Sequence, residues 1–150
     1  MTKKHGAIDF SQISDFIFIG TNHCCQTHFD KDLLKLGITA AISLEAENID
    51  HPDGITYFLW LPTKDHTASS KEQFELGIRT LDYCVMHNIK VYVHCLKGHG
   101  RAPALVIAYF ISQGMPLAAA LERVKERRPK IHLEKSQLEA LESLSIHYQQ

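Results

Sequence analysis

The sequence predicts an α/β fold, a central, mostly parallel mixed sheet of about four to five strands flanked by helices. Three observations carry this. Short β-prone apolar runs, Phe16 to Gly20, Ile38 to Leu44, Ile55 to Leu61 and Lys90 to His94, alternate with longer segments whose apolar residues recur at helical spacing. Turn chemistry marks the boundaries, with Gly20, Gly37, Pro62, Asn88 and Gly114 between one type of run and the next. The chain has 150 residues without repeat, linker or low-complexity stretch, which fits a single domain, 1–150, able to bury its own core.

The elements follow in order. Phe16 to Ile19 forms a first strand and stops at Gly20. Thr27 to Lys35, with Phe29, Leu33, Leu34 and Leu36 at helical spacing, is a short helix closed by Gly37. Ile38 to Leu44 and Ile55 to Leu61 are strands separated by the polar turn Glu47 to Gly54, and their quick succession suggests the mixed sheet. Pro62 is expected to end the second of these, with a loop from Thr63 to Ala68. Ser69 or Ser70 caps a helix, Glu72 and Gln73 being placed for a capping box, and Phe74, Ile78, Leu81 and Val85 form its inward stripe to about His87. Cys84 shares that stripe and is assigned to the core. Asn88 turns the chain into the strand Lys90 to His94.

After that strand comes an apolar run from Ala102 to Ile111, a helix ended by Gly114. Pro116 suits the first turn of the next helix, with Leu117, Ala120, Leu121 and Val124 inward, until Arg127-Arg128-Pro129 stops it. Those two arginines read as a solvated helix end in preference to the alternative, a place near the functional site. The last helix spans about Glu134 to Tyr148, carrying Leu138, Leu141, Leu144 and Ile146.

Composition excludes several functions. A net charge of −1 argues against nucleic acid as a partner, which would demand a concentrated basic face. The four cysteines show no spaced framework, and the N-terminus has no secretory character, so reduced thiols in the cytoplasm are expected. The longest apolar run is too short to cross a bilayer and the C-terminus carries no lipidation cysteine, so no stable membrane anchor is expected. His23, Cys24, Cys25 and His28 lack the spacing of a zinc site and are assigned to packing or a helix start; neither metal nor cofactor is expected.

The chemistry concentrates at Val91 to Pro103. Strand, glycine-punctuated loop and helix succeed one another there, and a loop running into a helix N-terminus turns several unpaired N–H groups toward its mouth. Gly98 and Gly100 let the backbone curl, so the amides of Leu96, Lys97, Gly98, His99 and Gly100 are the expected phosphate-binding nest. Arg101 adds a planar fork of donors suited to two oxygens of one phosphate. Cys95 lies at the bottom, in surroundings that favour a thiolate nucleophile.

His94-Cys95, five residues, then Arg101 resembles the signature loop of the cysteine-dependent protein tyrosine phosphatase superfamily, and the element order resembles its small dual-specificity branch. The resemblance implies a protein tyrosine phosphatase-like fold and a phosphatase that hydrolyses phosphotyrosine, with phosphoserine and phosphothreonine as further substrates, through a cysteinyl-phosphate intermediate. It implies Cys95 as nucleophile, Arg101 as phosphate clamp and His94 as a loop support. The family's general acid is an aspartate on a loop upstream; Leu61-Pro62-Thr63-Lys64-Asp65 has that form, and Asp65 is the only carboxylate on the loop. Where the family usually places Ser or Thr after the arginine, this chain has Ala102, and Arg101-Ala102-Pro103 resembles the phosphatase-of-regenerating-liver group, whose slow turnover it implies. Two alternatives stand beside this reading. One is a slow-turnover, phosphate-dependent binding module. The other is a phosphatase of inositol phosphates or phosphoinositides, drawn by positive charge at Lys97 and His99. The oligomeric state is open.

Overall fold

A computed structural model describes residues 8–22 and 29–149. Its elements are β1 (Phe10–Gln12), β2 (Ile17–Gly20), α1 (Lys31–Lys35), β3 (Ile38–Glu45), β4 (Tyr57–Thr63), α2 (Lys71–Met86), β5 (Lys90–His94), α3 (Arg101–Ser112), α4 (Leu117–Arg127) and α5 (Lys135–Tyr148). The group His23, Cys24, Cys25 and His28 lies outside the described residues.

The five strands form one sheet in the order β1-β2-β5-β3-β4. β2, β5, β3 and β4 run parallel, and only β1 is antiparallel to its neighbour. The mixed character therefore has a different source from the one expected. β3 and β4 pair in parallel, because the chain between them is long enough to return to the same end of the sheet, and the reversed strand is β1, laid along β2. Pro62 does not end β4, which continues to Thr63. On an edge strand the missing N–H costs no ladder bond, and a register shift between Ser43 and Glu45 absorbs the irregularity opposite it.

α3 is apolar on every side, and Arg101 to Ile111 are all buried. Such a helix belongs at the centre of its layer. α2, α4 and α5 surround it on one face of the sheet, over a core that includes Ile17, Ile42, Val93, Leu105 and Leu141. α2 crosses close at Gly77, where a Cβ would lie 2.5 Å from a Leu105 methyl. The opposite face is covered more lightly, by Phe29 and Leu33 packed on Phe18, Ile38, Ala41 and Tyr92. Ser70 caps α2 in a capping box with Gln73, and Cys84 sits in the core. Of the apolar residues carried by α5, Leu141 and Leu144 are buried and Ile146 is exposed. No helix among the described residues is long and apolar enough to cross a membrane.

The parallel register has one consequence for chemistry. β5, β3 and β4 all end on the same side, so the loops after His94, Glu45 and Thr63 meet at the carboxyl edge of the sheet, where open α/β sheets place their ligands.

Candidate active site

Three chain segments build a cleft of about 280 Å³ at that edge, lined by Asp65 and His66 from the loop after β4, by Cys95 to Lys97 and His99 to Arg101, and by His132, Glu134 and Gln137 ahead of and within α5. Cys95, Arg101 and Asp65, far apart in sequence, line it together. Cys95 is a free thiol, 3% exposed, directly after the end of β5. Gly98 has φ +69, and a Cβ there would lie 2.7 Å from the Gly20 carbonyl oxygen, so the loop can take this path only with glycine. Gly100 is the N-cap of α3 and supplies no capping side chain, which leaves the first-turn amides to whatever enters the cleft.

Arg101 is 3% exposed and already engaged. Its Nη1 donates to Glu47 Oε1 at 2.7 Å and to the Thr63 carbonyl at 2.8 Å, and Nη2 to Glu47 Oε2 at 3.2 Å. Asp65 Oδ1 lies 3.5 Å from Nη2. Burial works against the guanidinium's charge, yet the bond to Glu47 and the nearby Cys95 and Asp65 hold its pKa above the ordinary value. Glu47, expected in a polar turn, thus faces inward and fixes the fork. A phosphate would take over donors that a carboxylate now holds.

Arg128 corrects the expectation of a solvated helix end. It is wholly buried behind the loop, where Nε donates to the Gly98 carbonyl at 2.7 Å and Nη2 to the Lys97 carbonyl at 3.0 Å. Nη1 reaches Ser11 Oγ at 3.0 Å and Asp9 Oδ1 at 3.3 Å, so the antiparallel strand β1 is tied to the back of the site. Carbonyls that point backward onto a guanidinium leave the corresponding amides to point forward. His99 feels the same neighbourhood: burial first, then Arg128 and Lys130, push its pKa down and weaken its charge.

His94 is buried beside acids. Its Nε2 lies 3.0 Å from Asp50 Oδ2 and its Nδ1 3.9 Å from Glu45 Oε2, and the ring stacks on Tyr92 at 5.5 Å. Burial raises the pKa of Glu45, His94 opposing and Asp50 adding to it, while Asn22 and Asn48 donate to its carboxylate. Glu45, Asp50 and His94 bring ligand-type atoms within 4.8 Å of one another, as a cation site would. Asn22 links this group to the loop, its side chain donating to Glu45 and its N–H to the Leu96 carbonyl at 3.3 Å.

Gln137, 1% exposed, was not among the sequence candidates, nor were Glu47, Glu134 and Arg128 as site residues. The available signal for Gln137 was the helix start: Glu134 N donates to Gln137 Oε1 at 2.8 Å in a capping box, and Gln137 Nε2 reaches the Thr67 carbonyl at 3.1 Å.

Comparison with known proteins agrees with this architecture. Dual specificity protein phosphatase 5 of Rattus norvegicus is 29% identical over 120 residues, 78% of this chain and 30% of its own length. Phosphatidylglycerophosphate phosphatase PTPMT2 of Arabidopsis thaliana is 29% identical over 147 residues, 91% of this chain and 62% of its own. The chain thus spans less than two thirds of either relative. The crystal structure of human DUSP28 superposes with a TM-score of 0.83 at 18% identity, covering 93% of this chain and 97% of that one, a likeness of fold. The model of the dual specificity phosphatase catalytic domain matches residues 17–145, from β2 into α5, and the chain belongs to that family.

Proposed function

We propose that the protein hydrolyses phosphate monoesters, phosphotyrosine first and phosphoserine and phosphothreonine besides, through a cysteinyl-phosphate intermediate. The observation that carries this is the convergence of Cys95, Arg101 and Asp65 on one cleft, at a loop whose Lys97 and Gly98 carbonyls turn away onto Arg128. In the first step Cys95 Sγ attacks phosphorus, the bond to the ester oxygen breaks, and Asp65 gives that oxygen its proton. Arg101 and the loop amides hold the equatorial oxygens while charge builds on them. In the second step Asp65 takes a proton from water, the water oxygen attacks phosphorus, and Cys95 leaves as thiolate.

Ala102 follows Arg101 inside the first turn of α3, fully buried, and offers the departing thiolate no hydroxyl. Thiolate departure is therefore the slow step in this reading. The free thiols of Cys84 and Cys95 suit a reducing compartment, the cytoplasm. The plant relative's name points to a lipid phosphate. Burial and the neighbouring cations weaken the charge of His99, which leaves less positive charge at the loop to draw a polyanion, and a phosphoprotein substrate is the better supported reading.

The test is rapid mixing with a chromogenic aryl phosphate, with Cys95→Ser as control. A burst near one equivalent followed by slow release is expected. Release no greater than the control would turn the cleft into a phosphate-binding site. Activity on a phosphotyrosine peptide should exceed that on a phosphoinositide and survive Lys97→Ala; the reverse preference, lost with Lys97→Ala, would reassign the substrate.

A further inference from the structure

We infer that His66 is a positioning residue, latching the Asp65 loop to the head of α5 through Glu134 and so keeping the Asp65 carboxyl in the Cys95 cleft. The inference rests on the reading of Asp65 as general acid.

The loop between β4 and α2 is mostly exposed at its tip, and its local bonds are few. Thr67 N and Oγ1 both reach the Lys64 carbonyl, at 3.2 and 2.6 Å, which shapes a turn but ties it to nothing else. Besides the approach of Asp65 Oδ1 to Arg101 Nη2 at 3.5 Å, its long-range anchorage comes from the head of α5. His66 Nδ1 lies 3.0 Å from Glu134 Oε1, Gln137 Nε2 donates to the Thr67 carbonyl at 3.1 Å, and Ser136 Oγ approaches the His66 carbonyl at 3.5 Å.

The two sides differ in rigidity. Glu134 is the N-cap of α5, its side chain accepting from the Gln137 backbone, while Gln137 is buried. That carboxylate is held before His66 arrives. On the loop side, His66 has φ +65, a left-handed backbone that costs a side-chain-bearing residue free energy and persists where surrounding contacts enforce it. The same turn sends His66 N to Asp65 Oδ1 at 2.9 Å. One residue thus bonds the proposed acid with its backbone and the scaffold with its ring. Besides Glu134, Asp65 Oδ2 faces the ring at 3.6 Å, and Arg101 and His132 line the same cleft.

A general acid matters most when the leaving group is a poor one, and this separates positioning from damage. Burst-phase rates would be measured on aryl phosphates running from a dinitrophenyl ester to phenyl phosphate. His66→Ala should lose about tenfold on phenyl phosphate, a part of what general acid catalysis supplies, and less than about twofold on the dinitrophenyl ester. His66→Asn should recover most of the loss, because its amide nitrogen stands where Nδ1 does and Asn tolerates the left-handed backbone. Glu134→Asn, which keeps a capping side chain but withdraws the reach, should repeat the His66→Ala pattern, and the double variant should add nothing further. An equal loss on every ester, or no loss, overturns the latch. Asp65→Asn serves as reference. If it steepens the dependence while His66→Ala leaves it flat, the acid stands and the latch falls; if Asp65→Asn is itself flat, the acid assignment fails and the latch with it.

Discussion

Arg101 and Arg128 are two buried guanidiniums on the same loop, and they work from opposite sides. Arg101 stands at the mouth, its fork held by the carboxylate of Glu47, a partner 35% exposed that a phosphate can replace. Arg128 stands behind, bonded to the carbonyls of Lys97 and Gly98, which nothing entering the cleft could displace. If the cleft takes a phosphate as proposed, the difference separates two tasks: a positive charge that must be exchangeable, and a shape that must not be.

Substitution should split those tasks. Arg101→Lys keeps a charge but loses the planar fork, so kcat/KM on an aryl phosphate should fall on the order of a hundred- to a thousandfold while the melting temperature moves little. A loss below tenfold would mean that the loop amides suffice without the fork.

Arg128→Met should do the reverse in emphasis. It strands the Gly98 and Lys97 carbonyls, a class of change that costs about 1–3 kcal/mol for each group left unpaired, or a melting temperature lower by roughly 10 °C in a chain of this size. Gly98→Ala attacks the same shape from the loop side, with φ +69 and a Cβ 2.7 Å from Arg128 Nη2, and should melt early too. If both variants keep wild-type melting temperatures and lose only activity, Arg128 belongs with the substrate rather than with the loop.

The same contrast separates what the amino-acid sequence reveals from what only the fold does. Cys95, Arg101 and the two glycines lie within one short stretch where spacing alone carries geometry. Asp65 was singled out through the family resemblance, which puts an aspartate on a loop after a strand and a proline, and the fold brings it to the Cys95 cleft. Arg128 and Glu47 gave no such local signal: a guanidinium after a helix and a carboxylate in a polar turn look solvated until the fold brings them to residues 30 and 54 positions away. β1 was missed for a related reason. Phe10-Ser11-Gln12 has no alternating pattern, and it is a strand only because β2 offers an edge and Arg128 binds Ser11. Most helices were legible because their apolar stripes and caps are local, and the parallel β3–β4 pairing was not, because succession in sequence does not state direction.

Ala102 bears on the front of the site with a smaller expected effect. Ala102→Ser would place a hydroxyl beside the departing thiolate and should raise steady-state turnover about tenfold, a barrier change of about 1.4 kcal/mol, without altering the burst. Unchanged or slower turnover would remove thiolate departure as the bottleneck.

The smallest effect belongs to Asp9, at the outer end of the Arg128 network. Burial alone would raise its pKa, but the bond from Lys130 and the charge of Arg128 outweigh that and hold it below the ordinary carboxylate range. A carboxyl depressed on folding adds stability that is present above its unfolded value, near pH 4, and is lost as pH falls through the folded one. Glu45 has the opposite sign. Its raised pKa gives a contribution complete in acid and lost as pH rises through the folded value, so the total acid response of the protein mixes the two. The comparison that isolates Asp9 is denaturant unfolding of the native chain and Asp9→Asn at a series of pH values. The native chain should be the more stable at pH 6, with the gap closing as pH drops below about 4. Because Asp9 is 42% exposed on its side chain, solvent screens the pair and the gap should be modest and shrink further in salt. A gap that persists unchanged at low pH would mean that Asp9 supports Arg128 by packing rather than by charge.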